Sequence, residues 1–163
     1  MKYRMGTVED KESLTKLRLA FLETDFGTLN EVDVVKMQQT LPAYFEQHLG
    51  KDLLIYVAED EKRIVATAFL VMIEKPSNPH FITGRIGEIL NVYTEPEYRR
   101  RGIAKQLLER MIDDAKKEKL SYLELSATKD GYPLYKKLGF MEQQAEYVEM
   151  KYYIKEDIDG MTC

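Results

Sequence analysis

At 163 residues with 44% apolar composition, the chain is long enough to bury one substantial core, and a second domain is not expected. A net charge of −4, with basic residues dispersed apart from one run, sets general nucleic-acid binding aside. The lone cysteine, Cys163, leaves no internal disulfide or thiolate metal cluster to form and suits a reducing, cytoplasmic setting; no signal peptide or membrane span is expected either.

A short opening strand near Tyr3 to Met5 leads into a first helix, whose apolar face is supplied by Leu14, Leu17, Leu19, Ala20 and Phe21 and which Phe26-Gly27 breaks. The next helix runs from Val32 towards Leu49, and Pro42 inside it is expected to kink or divide it. Leu53 to Glu59 and Ile64 to Glu74 then read as two strands around the charged turn Asp60-Glu61-Lys62-Arg63, a hairpin pattern. Lys75-Pro76-Ser77-Asn78-Pro79-His80 is the strongest punctuation in the chain and marks a loop.

A third long strand, near Ile82 to Thr94, ends in Val92-Tyr93-Thr94 and runs into Arg99-Arg100-Arg101-Gly102-Ile103-Ala104. Behind that run Ile103, Leu107, Leu108, Met111, Ile112 and Ala115 fall on one face of an amphipathic helix. The first N–H groups of such a helix lack intrahelical partners and carry the positive end of its dipole, so they favour phosphate oxygens. Gly102 and Ala104 let a ligand approach the backbone, and three arginines add charge and bidentate donors. The expected ligand is a polyphosphate. Neither G-x-x-x-x-G-K-[ST] nor G-x-G-x-x-G occurs, so the common kinase and dinucleotide fingerprints are missing.

Tyr122-Leu123-Glu124-Leu125 begins another strand, and strand, helix, strand implies a parallel crossover. A short helix around Tyr132 to Lys137 ends at Gly139, after which Val148, Met150, Tyr152 and Ile154 alternate as a final strand. The class is α+β, one domain over 1–163, with a mixed, mostly antiparallel sheet flanked by helices. The tyrosine-rich last strand offers an edge through which a homodimer could pair.

This combination resembles the GNAT superfamily of acetyl-CoA-dependent N-acetyltransferases. Arg99 to Ala104 is similar to the family's Q/R-x-x-G-x-G/A pyrophosphate loop, Val92 to Tyr98 to the preceding strand and turn, and Leu134-Tyr135-Lys136-Lys137-Leu138-Gly139-Phe140 to its L-Y-x-x-x-G-F signature. The resemblance implies a sheet that splays beside the arginine loop, with the pantetheine arm lying along Val92, Tyr93 and Thr94 as an added strand. It implies cofactor contacts from Arg99, Arg100, Arg101, Gly102, Ile103, Ala104 and Lys105. Thr128 stands where many members carry an asparagine that touches the cofactor, and its hydroxyl replaces only part of that contact.

Acetyl transfer from a thioester needs a neutral amine, a polarised carbonyl and a proton for the departing thiolate. The chemistry calls for no metal. His48 and His80 lie in segments away from the cofactor motifs, and Cys163 has no neighbour to activate it, which disfavours a ping-pong route. Glu88 stands four residues before Val92, so strand alternation puts both side chains on one face, towards the same side of the sheet. The resemblance to the histone-modifying branch implies that Glu88 is the general base, acting directly or through water. It implies for Tyr135 the role of general acid at the cofactor sulfur, with the carbonyl polarised by a backbone N–H of the splayed strand.

The resemblance implies a small-molecule or peptide amine as the acceptor, and the family's acceptor region corresponds here to Glu23, Asp25 and Phe26. Two carboxylates beside an aromatic ring suit a cationic amine. Two other readings use the same residues: a non-catalytic acyl-CoA sensor or partner-binding module, and a transferase for another acyl group. Amine-dependent release of free thiol separates the first of these from an enzyme.

Overall fold

The computed structural model describes residues 1–154. One sheet runs in the order β1 (Lys2–Met5), β2 (Leu53–Asp60), β3 (Arg63–Glu74), β4 (Arg85–Thr94) and β5 (Leu123–Glu124). The first four strands are antiparallel neighbours, and β5 joins β4 in parallel. Helices α1 (Lys11–Phe26) and α2 (Glu31–His48) cover one face; α3 (Ile103–Lys117) and α4 (Tyr132–Leu138) cover the other. This is the mixed, mostly antiparallel α+β architecture expected.

Strand β3 is central and is covered on both faces, so its sequence reads as an apolar run rather than an alternation: Ile64 to Leu70 are all buried. Val65, Ala68 and Leu70 belong to the cluster under α3, while Ile64 and Phe69 join Leu14, Leu17 and Phe45 under α1 and α2. The β2–β3 turn is tighter than its four charged residues suggest. Only Glu61 and Lys62 lie outside the strands, at φ 47° and 64°, the doubly left-handed geometry that matches strand twist.

Several boundaries differ from the sequence reading. Helix α2 runs from Glu31 to His48 undivided despite Pro42, and Asn30 caps it by accepting the Val32 N–H at 2.8 Å. Strand β4 begins at Arg85, because Phe81 to Gly84 are taken up by turns, with Gly84 in the left-handed region at φ 71°. The expected final strand is absent among the described residues. Val148, Met150, Tyr152 and Ile154 are exposed, and no strand follows Glu124. An alternating pattern makes a strand only where it docks on free N–H and C=O groups of an edge, and β5, the edge strand that precedes this segment in the chain, is two residues long.

Candidate active site

Pairing between β4 and β5 is limited to Gly87 with Leu123 and Glu88 with Glu124. Beyond that point β4 continues from Ile89 to Thr94, while the chain after Glu124 turns away towards α4, so the sheet splits into a wedge. Gly87 is what lets the strands meet at all. A Cβ there would sit 2.6 Å from Leu123 Cδ2 and 2.7 Å from Leu70 Cδ1.

Opposite the wedge, β4 carries a bulge. Leu90 pairs with Phe69 and Tyr93 with Thr67, so Asn91 and Val92 together face the single residue Ala68. Asn91 adopts φ 50°, a left-handed conformation that asparagine tolerates better than most residues. Its buried side chain donates from Nδ2 to Thr67 Oγ1 at 3.0 Å, and that hydroxyl donates back to the Asn91 carbonyl at 3.0 Å. Arg18 of α1 reaches the Asn91 Oδ1 at 3.4 Å.

The bulge resets the alternation. Ile89 and Val92 pack towards α3, and Leu90 and Tyr93 towards α1 and α2. Glu88, in phase with Leu90, therefore faces α1 and α2, opposite Val92. The shared face expected from their spacing does not occur, because an inserted residue shifts everything beyond it by one step. Glu124, the register partner of Glu88, faces the same way, since its neighbours Leu123 and Leu125 pack towards α3. Sequence reasoning missed both Asn91 and Glu124. An asparagine inside an apolar strand, where it weakens the pairing, was the available signal for the first.

At the far end of β4 a short turn over Pro96–Tyr98 delivers the chain to the arginine loop. Arg100 at φ 62° and Gly102 at φ 75° flank Arg101, and such alternation turns successive N–H groups towards one side. Helix α3 starts directly after Gly102, anchored by buried Ile103, Leu107, Leu108 and Met111. A Cβ on Gly102 would meet nothing within 4 Å, so glycine serves here for its backbone angle rather than for room. Arg99 donates from Nε to the Thr94 carbonyl at 2.9 Å and lies over the Tyr93 ring; Arg101 donates from Nη2 to the Glu97 carbonyl at 2.9 Å and lies over Tyr98. Arg100 has no protein hydrogen-bond partner among the described residues. Two arginines thus brace the loop, one is free, and Lys105 pairs loosely with Glu109 at 3.8 Å.

Tyr135 is buried in the α3-side cluster, edge-on to Phe140 at 5.8 Å, and burial pushes its phenol pKa up. Its hydroxyl has no hydrogen-bond partner among the described residues. Thr128 shapes the entry to α4: its Oγ1 accepts the Gly131 N–H at 3.1 Å and its carbonyl accepts the Tyr132 N–H at 3.0 Å. Outside β5 opens a cleft of about 1210 Å³, lined by Leu123, Leu125, Tyr135, Phe140 and Met141. His80 also lines it, so this histidine is not remote from the Leu134–Phe140 motif, as its place in the sequence suggested. Glu23, Asp25 and Phe26 lie exposed on the last turn of α1, Phe26 at 72%. Among the described residues no helix is long and apolar enough to cross a membrane.

Residues 18–140 match the acetyltransferase (GNAT) family. The chain belongs to that family. Its fold is similar to that of a predicted acetyltransferase from Clostridium acetobutylicum, solved with acetyl-CoA: 34% identity over 92% of this chain and 95% of that one, TM-score 0.81. A GCN5-related N-acetyltransferase from Ralstonia eutropha shares the fold at 24% identity, covering 91% and 97% of the two chains with TM-score 0.78. So does glucosamine-6-phosphate N-acetyltransferase from Arabidopsis thaliana, at 19% identity, 95% and 100% coverage and TM-score 0.64. No curated protein sequence matches the chain. The protein is accordingly a GNAT-type acetyltransferase, and enzymes of this family move acetyl groups from acetyl-CoA to amine acceptors, small molecules and proteins among them.

Proposed function

We propose that this acetyltransferase, acting as a single domain over 1–163, transfers acetyl from acetyl-CoA to a primary amine by direct attack in a ternary complex. The observation that carries the reading is the wedge at β4 running into the left-handed turn at the start of α3. The donor set suits a pyrophosphate: convergent N–H groups at 100–104, a free Arg100, and open space at Gly102. Arg99, Arg101 and Lys105 add positive charge around it. Acetyl-CoA supplies the acetyl group already activated as a thioester.

The β4 edge over Val92, Tyr93 and Thr94 offers main-chain N–H and C=O groups for strand-like pairing with the pantetheine amides, and one N–H there polarises the carbonyl. Thr128 keeps its hydroxyl hydrogen free to donate, since its oxygen accepts from Gly131. Glu88 removes a proton from the acceptor nitrogen, directly or through water, as the new N–C bond forms. Tyr135 gives its phenolic proton to the sulfur as the C–S bond breaks, and a phenol, which burial pushes further up, holds that proton until then. Glu23, Asp25 and Phe26 form the outer part of the acceptor approach.

The reading extends to a cytoplasmic protein whose exposed 147–154 segment pairs with a second copy, which sedimentation checks by mass. For the chemistry, Tyr135→Phe should lower turnover by about 100-fold while leaving acetyl-CoA affinity within threefold. Full activity in that variant would remove Tyr135 from the mechanism. Glu88→Gln should lower turnover by about 100-fold while leaving acetyl-CoA affinity within threefold, which steady-state kinetics and calorimetry measure.

A further inference from the structure

We propose that Arg18 is an anion clamp for the acceptor: the amine acetylated here carries a carboxylate within a few bonds of its reactive nitrogen. The inference rests on the transfer reading above, and names the acceptor class that the reading leaves open.

The protein has three half-buried arginines. Arg4 pairs with Asp10 and Glu59, and Arg85 pairs with Glu118. Arg18 alone has no carboxylate partner among the described residues. It follows Leu14 and Leu17 on the inner side of α1, where burial works against its charge, and its one polar contact is the long 3.4 Å reach to Asn91 Oδ1. Most of its five N–H donors are therefore left to an anion that no described residue supplies. The contact with Asn91 puts the guanidinium at the bulge where the sheet opens.

Three residues back along β4, Glu88 and Glu124 stand side by side on this same face, at the apex of the wedge. Tyr44 of α2 packs on this same side of the sheet, against the cluster of Leu14, Leu17 and Phe45. Three strand steps span about 10 Å. A chain of guanidinium, carboxylate, ammonium and carboxylate has two hydrogen bonds of about 2.8 Å and a carboxylate-to-amine spacing of about 3 Å, roughly 9 Å in all. An α- or β-amino carboxylate fits that span. A polyamine would bring a second cation against Arg18 and lose affinity.

The test uses matched pairs that differ only by the carboxylate: phenylalanine with phenethylamine, tyrosine with tyramine, methionine with 3-(methylthio)propylamine, and lysine with cadaverine. Thiol release measures turnover, and calorimetry measures binding to the CoA-saturated protein. The carboxylate member of at least one pair should be favoured at least 30-fold in kcat/KM. Arg18→Gln should erase that preference through KM, with kcat within threefold, and Arg18→Lys should restore part of it. A preference for the decarboxylated amines, an R18Q variant that keeps the carboxylate preference, or no binding or turnover with any member overturns the proposal. Arg18-dependent binding without turnover would instead sink the transfer reading and keep the clamp. If R18Q does not fold, the matched pairs on the unaltered protein decide alone.

Discussion

The two edges of β4 are built differently. Towards β3 it is paired along nearly its whole length, interrupted only by the bulge; towards β5 it is paired at two positions and then left open. The paired side is stitched into a core buried on both faces, and the open side carries the groups to which the proposed transfer is assigned: a free strand edge, Glu88, and the turn into α3. Cohesion is lowest where the proposed pantetheine pairing takes the place of a strand. The outer edges of the sheet repeat the contrast, since β1 is tied down by the Arg4 ion pairs while β5 borders a cleft.

The contrast can be broken first at its strong side. Leu108 is fully buried beneath the sheet, so Leu108→Ala should cost about 2–5 kcal/mol in urea unfolding, by lost transfer energy and the cavity left behind. Gly87→Val acts at the hinge between the two sides. Its new atoms meet the tips of Leu123, Leu70 and Leu120, and the expected cost is about 1–3 kcal/mol. Hydrogen exchange should then show β5 released while β2 and β3 stay protected, and a uniform loss of protection would mean that β5 is not an independent element.

At the open side, Gly102→Val should cost about 1–2 kcal/mol, because a β-branched residue at φ 75° is strained although nothing blocks its side chain. Its second effect separates function from folding. Excess acetyl-CoA should raise the melting temperature of the unaltered protein and leave that of the variant unmoved. A variant that melts lower yet still responds to acetyl-CoA would show the loop angle to be structural only.

Much of this contrast can be read in residues. The α3 face, the arginine loop, the β2–β3 hairpin and the Tyr132–Gly139 turn of helix are local patterns, and all four form. What could not be read is what depends on pairing at a distance. Asn91 is held in its bulge by Thr67, the partner of Tyr93, which bonds it in both directions, and that bulge turns Glu88 away from Val92. Val148, Met150, Tyr152 and Ile154 have the alternation of a strand, but alternation says nothing of whether an edge will accept them. Arg18 looks like any helix arginine until it is found half-buried with no carboxylate partner among the described residues.

The tied outer edge should respond to pH. The Arg4 guanidinium holds the Asp10 carboxyl below the usual carboxylate range, with the Thr7 N–H adding a further bond at 2.8 Å. A carboxyl depressed on folding contributes stability that is complete above its unfolded pKa and is lost as pH falls through its folded one. Asp10→Asn should therefore cost about 1–2 kcal/mol at pH 7, and the gap to the unaltered protein should close as pH drops below the carboxylate range. A gap that persists in acid would assign the effect to packing.

The smallest effect belongs to the exposed segment. Tyr152 is 89% exposed and Met150 88%, so Tyr152→Ala removes no buried surface and should change unfolding free energy by less than about 0.5 kcal/mol. The same substitution at Tyr56 removes a fully packed ring whose hydroxyl bonds Asp114 at 2.9 Å, and should cost about 3–5 kcal/mol. Two tyrosines of identical chemistry are thus a direct measure of how unevenly the fold uses its aromatic residues. Concentration is the control that gives the small number meaning: a segment with no docked partner has the same null effect at every protein concentration, whereas one that pairs with a second copy has a cost that grows as the dimer fills. A cost above 1 kcal/mol at all concentrations would mean that the 147–154 segment lies against its own chain in solution.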